Sequence, residues 1–553
     1  MTTMLVSLYI SLIKDKRYNP TTTTSNNNNN QFAEDSTRKL IHRASHLGTL
    51  PDSLTWTSYL ETPRGYVTWA PLMSKASLGH LTMEVKKEGE KPLERRKRLL
   101  RQLTKVLQAA LGSCMMGTLF TFPSVVSSDF ANYNTTIYGT TISMEGYVDM
   151  IGNMVMAGSL PGAWLTALVA FRLGRRWSMI VNGVVAVVGW LGVALLPTIA
   201  GILVSRCVSG MAMGGLSVVI NAYSAELADV DVRGMMSVAL NMGLFSGQLF
   251  TVCIGYGVRY YVVALVDALI PVAFVLCLIW LPESPSILVL KGKEEEAKRV
   301  LLDLRGEYAD LQAEIQSYKD MNTAMQNGPS WRGLLIPQVL RSLAIVSTLF
   351  VLTTFSGFMV LNANASRMFE AAGSTVDGSL SAIVIMIVQF GAAFAGFFLL
   401  DKIGRKNILY VGFFLMGIAL VALAIFVSVT KQAEIKSVDE ELLVLSEAAP
   451  EQRRGGWVPL ACLVVSQAGV ALGVNLMPFL LSQEYFPTSI RSQASSICFT
   501  VWTIANFALL QLYTPMAVGL TQPGLYGFYA SVCVSGIIFT VFFIRETMGE
   551  RVG

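Results

Sequence analysis

The side chains with the most chemistry in this sequence are charged, and they come in two matched sets. Gly174-Arg175-Arg176 is followed by Glu226 and, seven residues on, by Arg233. Asp401-Lys402-Ile403-Gly404-Arg405-Lys406 is followed by Glu484 and, again seven residues on, by Arg491. Carboxylates and guanidiniums in such sets pair, and a partly buried pair holds two surfaces together until something separates them. Catalysis asks for other groups. The three histidines, His42, His46 and His80, all precede the first long apolar run, and the seven cysteines show neither metal-ligand nor disulfide-framework spacing. The sequence therefore implies no enzyme, no metal and no cofactor.

The positions of these charges follow from the segments around them. Each basic cluster ends one apolar run, and each Glu/Arg pair straddles the end of another. With 53% hydrophobic and 14% charged residues, the chain is too apolar for a soluble protein and belongs in a lipid bilayer. Net charge is only +5 and its bases border apolar segments as orientation signals, so no nucleic-acid partner is expected. Runs long enough to cross as helices lie at 106–127, 146–171, 178–198, 201–224, 235–256, 260–281, 341–363, 379–400, 408–429, 457–482, 493–513 and 525–544. Arg172, Arg175, Arg176, Arg233, Lys402, Arg405, Lys406 and Arg491 fall on one side, whereas the 128–142 loop has no Lys or Arg. By the positive-inside rule both termini are cytoplasmic.

The fold class expected is all-α and integral to the membrane: twelve transmembrane helices in two six-helix halves, with a cytoplasmic helical insertion between them. The divisions are a disordered N-terminal tail over 1–100 without a signal peptide, halves at 101–281 and 341–545, a linker at 282–340, and a short tail at 546–553. From Gly174 to Glu226 is 52 residues and from Gly404 to Glu484 is 80, an excess close to the length of the 431–456 outer loop. One loop therefore reconciles the two copies of the motif.

A longer series of short strings runs along the chain in order. It comprises Leu173-Gly-Arg-Arg176, Ser205-Arg206 with Gly210, Tyr223-Ser-Ala-Glu226, Arg233-Gly234, Pro282-Glu-Ser-Pro285 followed by Leu288-Val-Leu-Lys-Gly, Phe355-Ser-Gly357, Asp401 to Lys406, Glu484-Tyr-Phe-Pro487 with Arg491, and Glu546-Thr-Met-Gly549. Together they resemble the sugar porters of the major facilitator superfamily, closest in wording to the insect facilitated trehalose transporter-like branch. The resemblance covers Lys105 to Arg551. It implies a gate of cytoplasmic salt bridges from Arg175, Arg176, Glu226, Arg233 and Glu283 in the first half and Asp401, Arg405, Glu484, Arg491 and Glu546 in the second. Such groups pair across the halves when the cytoplasmic side is closed.

Polar side chains inside spans are costly and usually face the bundle interior, which makes Asn241, Gln248, Thr353, Thr354, Ser356, Asn364, Gln389, Asn475 and Asn506 candidates for a wet cavity. Trp502 and Phe479 offer flat faces for a polyol. The competing reading is interhelical glue, in keeping with the close packing announced by Gly158/Gly162 and Gly210/Gly214. Against the family pattern, Asn241 stands for a glutamine, Gln389 for an asparagine, and Thr353-Thr354 for two glutamines. Met359, Ala363 and Asn364 fall where an asparagine and paired tyrosines are usual, Asn475-Leu-Met-Pro478-Phe479 replaces Gly-Pro-x-Pro-Trp, and Phe171 replaces the acid that Asp401 keeps. The latch thus follows the family more closely than the cavity.

The first span, 106–127, has no acidic residue, so facilitated diffusion is expected. Asp267, inside the sixth span, is a possible proton site. The reading favoured for it is burial against a neighbouring amide, or a depth from which it reaches water. Asn134-Thr135-Thr136 in the first outer loop is a glycosylation acceptor. The expected function is transport of a small neutral solute, a hexose or trehalose, by a monomer in the plasma membrane whose partners are that solute and the bilayer. The alternatives are a non-transporting sensor on the same scaffold and a carrier of a less polar solute, the latter suggested by Met359, Ala363 and Phe479.

Overall fold

Within a bilayer a backbone can satisfy its polar groups only internally, so each apolar run forms a helix. The computed structural model describes residues 92–133, 135–141, 147–228, 233–306, 311–326, 336–364, 368, 378–441, 457–486 and 490–546. Six long helices come first: α1 (Pro92–Asn132), α2 (Val148–Leu173), α3 (Arg175–Leu195), α4 (Ile199–Leu227), α5 (Arg233–Gly255) and α6 (Tyr260–Leu278). Three shorter ones follow, α7 (Pro285–Leu290), α8 (Glu294–Arg305) and α9 (Leu311–Gln326). The second set comprises α10 (Pro337–Phe355), α11 (Phe358–Ala363), α12 (Gly378–Ile403), α13 (Arg405–Glu441), α14 (Val458–Gly469), α15 (Met477–Glu484), α16 (Arg491–Gly519) and α17 (Thr521–Phe543). Among the described residues twelve stretches are long and apolar enough to span a membrane, with α10 and α11 forming one and α14 and α15 another.

Four features differ from the sequence expectation. Helix α1 starts at Pro92 instead of near residue 106, so the basic stretch through Arg98 is helical. Its extension docks on the linker: Arg101 pairs with Asp303 at 3.1 Å, Lys105 pairs with the same carboxylate, and Gln102 donates to the Leu304 carbonyl at 2.6 Å. Helix α13 runs on to Glu441, into the segment read as outer loop, because its Lys, Gln, Ala and Glu residues are strong helix formers. The seventh span breaks at Ser356-Gly357, where Gly357 has φ 90° and a Cβ would lie 2.7 Å from the Tyr529 ring. The tenth contains a π-helical turn over Val470–Val474, an irregularity that gathers at functional positions.

Close packing is concentrated in the first six spans. A Cβ at Gly158, Gly162, Gly210 or Gly214 would sit 2.0, 2.1, 2.2 or 1.8 Å from the carbonyl oxygens of Cys207, Met211, Val155 or Ser159. Backbones of α2 and α4 therefore touch directly, as the paired glycines led us to expect. Helices α1 and α5 do the same through Gly117 and Gly247, whose added Cβ atoms would lie 2.0 and 1.9 Å from the carbonyl oxygens of Leu244 and Cys114.

Candidate functional site

The latches are built from backbone geometry as much as from charge. Gly174 joins α2 to α3 at φ 105°, and this sharp turn points the first amides of α3 at Glu283. The Glu283 carboxylate accepts from the N–H groups of Arg175 (2.8 Å) and Arg176 (3.1 Å), which offsets the positive end of the helix. Gly404 repeats the turn between α12 and α13 at φ 90°, and Glu546 accepts from the N–H groups of Arg405 (3.0 Å) and Lys406 (3.1 Å). A Cβ on either glycine would come within 2.5 Å of a carboxylate oxygen. That steric limit explains the residue type.

Ion pairs complete each latch. Arg175 meets Glu226 at 3.4 Å, and Ser284 donates to the same carboxylate. In the second half Arg405 meets Glu484 at 3.6 Å. The second base is also matched: Arg176 donates to the carbonyls of Leu278 (2.9 Å) and Ile279 (2.6 Å), and Lys406 to that of Val541 (2.8 Å). Each of these pairs lies within one half, between groups at neighbouring helix ends. Arg233, Asp401 and Arg491 lie in helices, but their side chains fall outside the described residues, as does Asn134.

The linker adds a group that sequence reasoning missed. Arg305, at the end of α8, donates to the Leu227 carbonyl at 3.0 Å and pairs with Glu314 at 3.0 Å, so it caps the last turn of α4. Tyr318 donates to Glu314 at 3.0 Å, and burial, then that carboxylate, push its hydroxyl pKa well above the usual tyrosine value. Only a basic residue ending an amphipathic helix hinted at this in the sequence.

The interior of the second half is neutral and amide-rich. Gln389 donates from its one amide nitrogen to Asn362 Oδ1 at 3.1 Å and to Gln467 Oε1 at 2.9 Å, while Gln467 donates to the same Asn362 oxygen at 3.1 Å. Asn506 donates to Thr354 Oγ1 at 3.2 Å and to the Trp502 carbonyl at 2.8 Å. Phe479 packs edge-on between Phe350 (4.9 Å) and Trp502 (5.5 Å). Ser356 turns to the Thr353 carbonyl (2.6 Å), Asn364 is buried at the end of α11, and Asn241 and Asn475 are half-buried. Five cargo candidates keep a buried polar atom with no protein partner: Gln248 Oε1, Thr353 Oγ1, Gln389 Oε1, Trp502 Nε1 and Asn506 Oδ1. Three are carbonyl acceptors, one is a hydroxyl and one an N–H, a set suited to a neutral molecule rich in hydroxyls.

The interior of the first half is charged instead. Arg206 is wholly buried, donates to the carbonyls of Leu119 (2.8 Å) and Ile151 (3.2 Å), and lies over the rings of Phe122 (5.1 Å) and Trp190 (5.7 Å). Asp267 is also wholly buried, and both its oxygens accept from the Thr251 hydroxyl, at 3.1 and 2.9 Å. Its neighbour is thus a hydroxyl, where the sequence reading had an amide or water. Arg206 was quoted as a motif residue, yet its bracing of α1 and α2 could not be read from spacing.

The halves pack through Met242 and Phe245 against Ala393 and Ala471, and polar bonds join them at the end away from the latches. Asn153 donates to Gln511 at 2.7 Å, Ser128 bonds Ser379 at 2.8 Å, and Thr514 donates to Asp149. Beneath these bonds Phe120, Pro123 and Val155 line a narrow apolar pocket with Met359, Ala363 and Leu510 of the other half.

Residues 105–552 match the family described as "Sugar (and other) transporter". The facilitated trehalose transporter Tret1 of Polypedilum vanderplanki is 26% identical over 454 residues, which is 81% of this chain and 86% of that protein. Trehalose transporter 1 of Drosophila melanogaster is 28% identical over 454 residues, and here the alignment spans 81% of this chain but only 50% of the fly protein. The chain thus spans about half the length of that relative. Among solved structures, the xylose transporter XylE from E. coli in a partially occluded inward-open conformation superposes with a TM-score of 0.64 at 20% identity, covering 82% of this chain and 100% of that one. The same symporter bound to 6-bromo-6-deoxy-D-glucose gives 0.65 at 19% identity, covering 82% and 98%. The fold is that of the major facilitator superfamily, and with its family match over most of its length, the chain belongs to the sugar (and other) transporter family.

Proposed function

We propose that this protein carries a small neutral sugar, a hexose or trehalose, down its concentration gradient by alternating access. The observation that carries the reading is the set of five unpartnered polar atoms on Gln248, Thr353, Gln389, Trp502 and Asn506, which the hydroxyls of a polyol can satisfy. Relatives named for trehalose support the cargo class. Facilitated movement rests on the first span, 106–127, which holds no acidic residue, while Asp129, near the far end of α1, is held by Arg259 at 2.9 Å. The halves at 101–281 and 341–545 rock about the interior, with the latch end cytoplasmic and the Asn153–Gln511 end facing outward. Arg175, Arg176, Glu226, Arg233, Glu283, Asp401, Arg405, Glu484, Arg491 and Glu546 form the latches and bias the equilibrium between the two states. The carrier works as a monomer in the plasma membrane, with both termini inside and a glycan on Asn134.

Uptake of radiolabelled glucose, trehalose and mannitol into proteoliposomes tests this. Saturable flux of at least one sugar, unaffected by a proton gradient, is the expected result, and Arg233→Ala should slow it. Absence of saturable sugar flux, or accumulation driven by a proton gradient, would overturn the proposal.

A further inference from the structure

We infer that Tyr223 and Tyr485 are positioning residues for the two latches: each hydroxyl holds the backbone residue immediately before the glutamate that caps a helix start. The inference rests on the reading of the latches as a gate and deepens it. Glu283 and Glu546 have the same task and the same difficulty. Each presents its carboxylate to two backbone amides, yet each stands on irregular chain past the end of a span, Glu283 after α6 ends at Leu278 and Glu546 after α17 ends at Phe543. No helical ladder fixes such a segment, so its place must come from contacts outside it.

Those contacts match in the two halves. Two residues before each glutamate stands a buried apolar side chain, Leu281 at 1% and Ile544 at 3% exposure. The residue between them and the glutamate carries the tyrosine bond. Tyr223 donates to the Pro282 carbonyl at 2.7 Å. Tyr485 accepts from the Arg545 N–H at 2.9 Å and donates to the carbonyl of the same residue at 3.3 Å. The two tyrosines do not occupy equivalent places in the chain, since Tyr223 lies three residues before Glu226 on α4 and Tyr485 directly follows Glu484. What the halves share is the bonded position, not the register of the tyrosine. Each tyrosine is also next to the acid that pairs with the capped arginine, Glu226 with Arg175 at 3.4 Å and Glu484 with Arg405 at 3.6 Å. It therefore ties together the two carboxylates that hold one arginine, one at its side chain and one at its backbone N–H. A tyrosine suits this work because its ring packs while its single polar end bonds.

Hydrogen exchange of the full chain in detergent, followed by mass spectrometry, tests this at the capped amides, and sugar uptake into proteoliposomes reads the consequence for transport. Tyr223→Phe keeps the ring and removes the bond, so exchange at Arg175 and Arg176 should quicken about 5-fold while Arg405 and Lys406 stay as they were. Tyr485→Phe should do the reverse. A tyrosine that only packs would be replaced without any change in exchange, and one that only stabilises its half would quicken exchange throughout that half. Either result overturns the inference. Local quickening with altered maximal uptake supports it together with the gate. Local quickening with uptake unchanged supports the positioning role and overturns the latches as a gate. A wild-type chain without sugar uptake overturns the cargo reading, and exchange at the capped amides then decides the inference by itself. Should one variant not fold, the other decides, because each has its own pair of amides.

Discussion

The Gly-Arg ends of the two halves share their bonds, while their interiors hold opposite chemistries. At the latches, Glu283 and Glu546 each cap a helix start, each beside a glycine at positive φ, and Arg175 and Arg405 each pair with the carboxylate that ends another helix. Inside, the first half places Arg206 and Asp267 among glycine contacts that bring backbones together. The second half places amides beside a broken helix and a π turn. A charge in such a site demands fixed partners, so the first half is built as a stiff body. Neutral amides make no such demand. The two halves thus share their latch geometry and differ in their interiors.

That contrast breaks most severely at Arg206. Arg206→Met removes the two carbonyl bonds and the ring contacts that brace α1 and α2, at a cost of about 3–5 kcal/mol. Thermal unfolding in detergent, followed by tryptophan fluorescence, measures it. A loss no larger than that of a surface substitution would mean that the first half is not organised around this charge. Next in size is Gly214→Ala, where the new methyl would press on the Ser159 carbonyl 1.8 Å away and should cost about 1–3 kcal/mol. Gly391→Ala on α12, which meets nothing within 4 Å, is the control and should be neutral to within about 0.5 kcal/mol. Equal effects at the two glycines would mean that the contact at Gly214 does not constrain the first half.

The sequence revealed the device that depends on backbone turns and helix ends, because a glycine, a basic pair and a distant carboxylate are visible as strings. Spans and their order were legible for the same reason, since hydrophobic length leaves a helix no alternative. Partner choice inside the bundle was not legible. Gln467 lies in an apolar run, and nothing in its neighbours tells that it faces Gln389 and Asn362 from another helix. Likewise the direction of latch pairing, within a half or across it, depends on which helix ends lie side by side. The break at Gly357 was visible as Ser-Gly in the seventh span, yet one apolar run through it reads as one helix.

Smaller effects sharpen the likeness of the latches. Glu283→Gln and Glu546→Gln each keep an acceptor for the helix amides but lose the charge, so each should cost about 1–2 kcal/mol. The two losses should be of similar size, because each carboxylate caps the first two amides of a helix beside a glycine at positive φ. If Glu283→Gln is silent while Glu546→Gln is not, the matching geometry conceals unequal loads, and the gate is carried by the second half alone. Comparing midpoint temperatures of the two variants under one set of conditions is sufficient.

The smallest effect expected is at Asp267, and it separates charge as scaffold from charge as chemistry. In Asp267→Asn the amide oxygen still accepts from Thr251, and Arg206 keeps its two carbonyls and two aromatic rings. Stability should therefore fall by less than about 1 kcal/mol. Sugar uptake should proceed at the wild-type rate, with or without an imposed proton gradient. A carboxylate that bound and released a proton in each cycle could not be replaced by an amide in this way. A variant that folds but loses a gradient-dependent component of uptake would turn the charged interior of the first half from a brace into a coupling site. A variant as unstable as Arg206→Met would instead make Asp267, as much as the arginine, a support of that half.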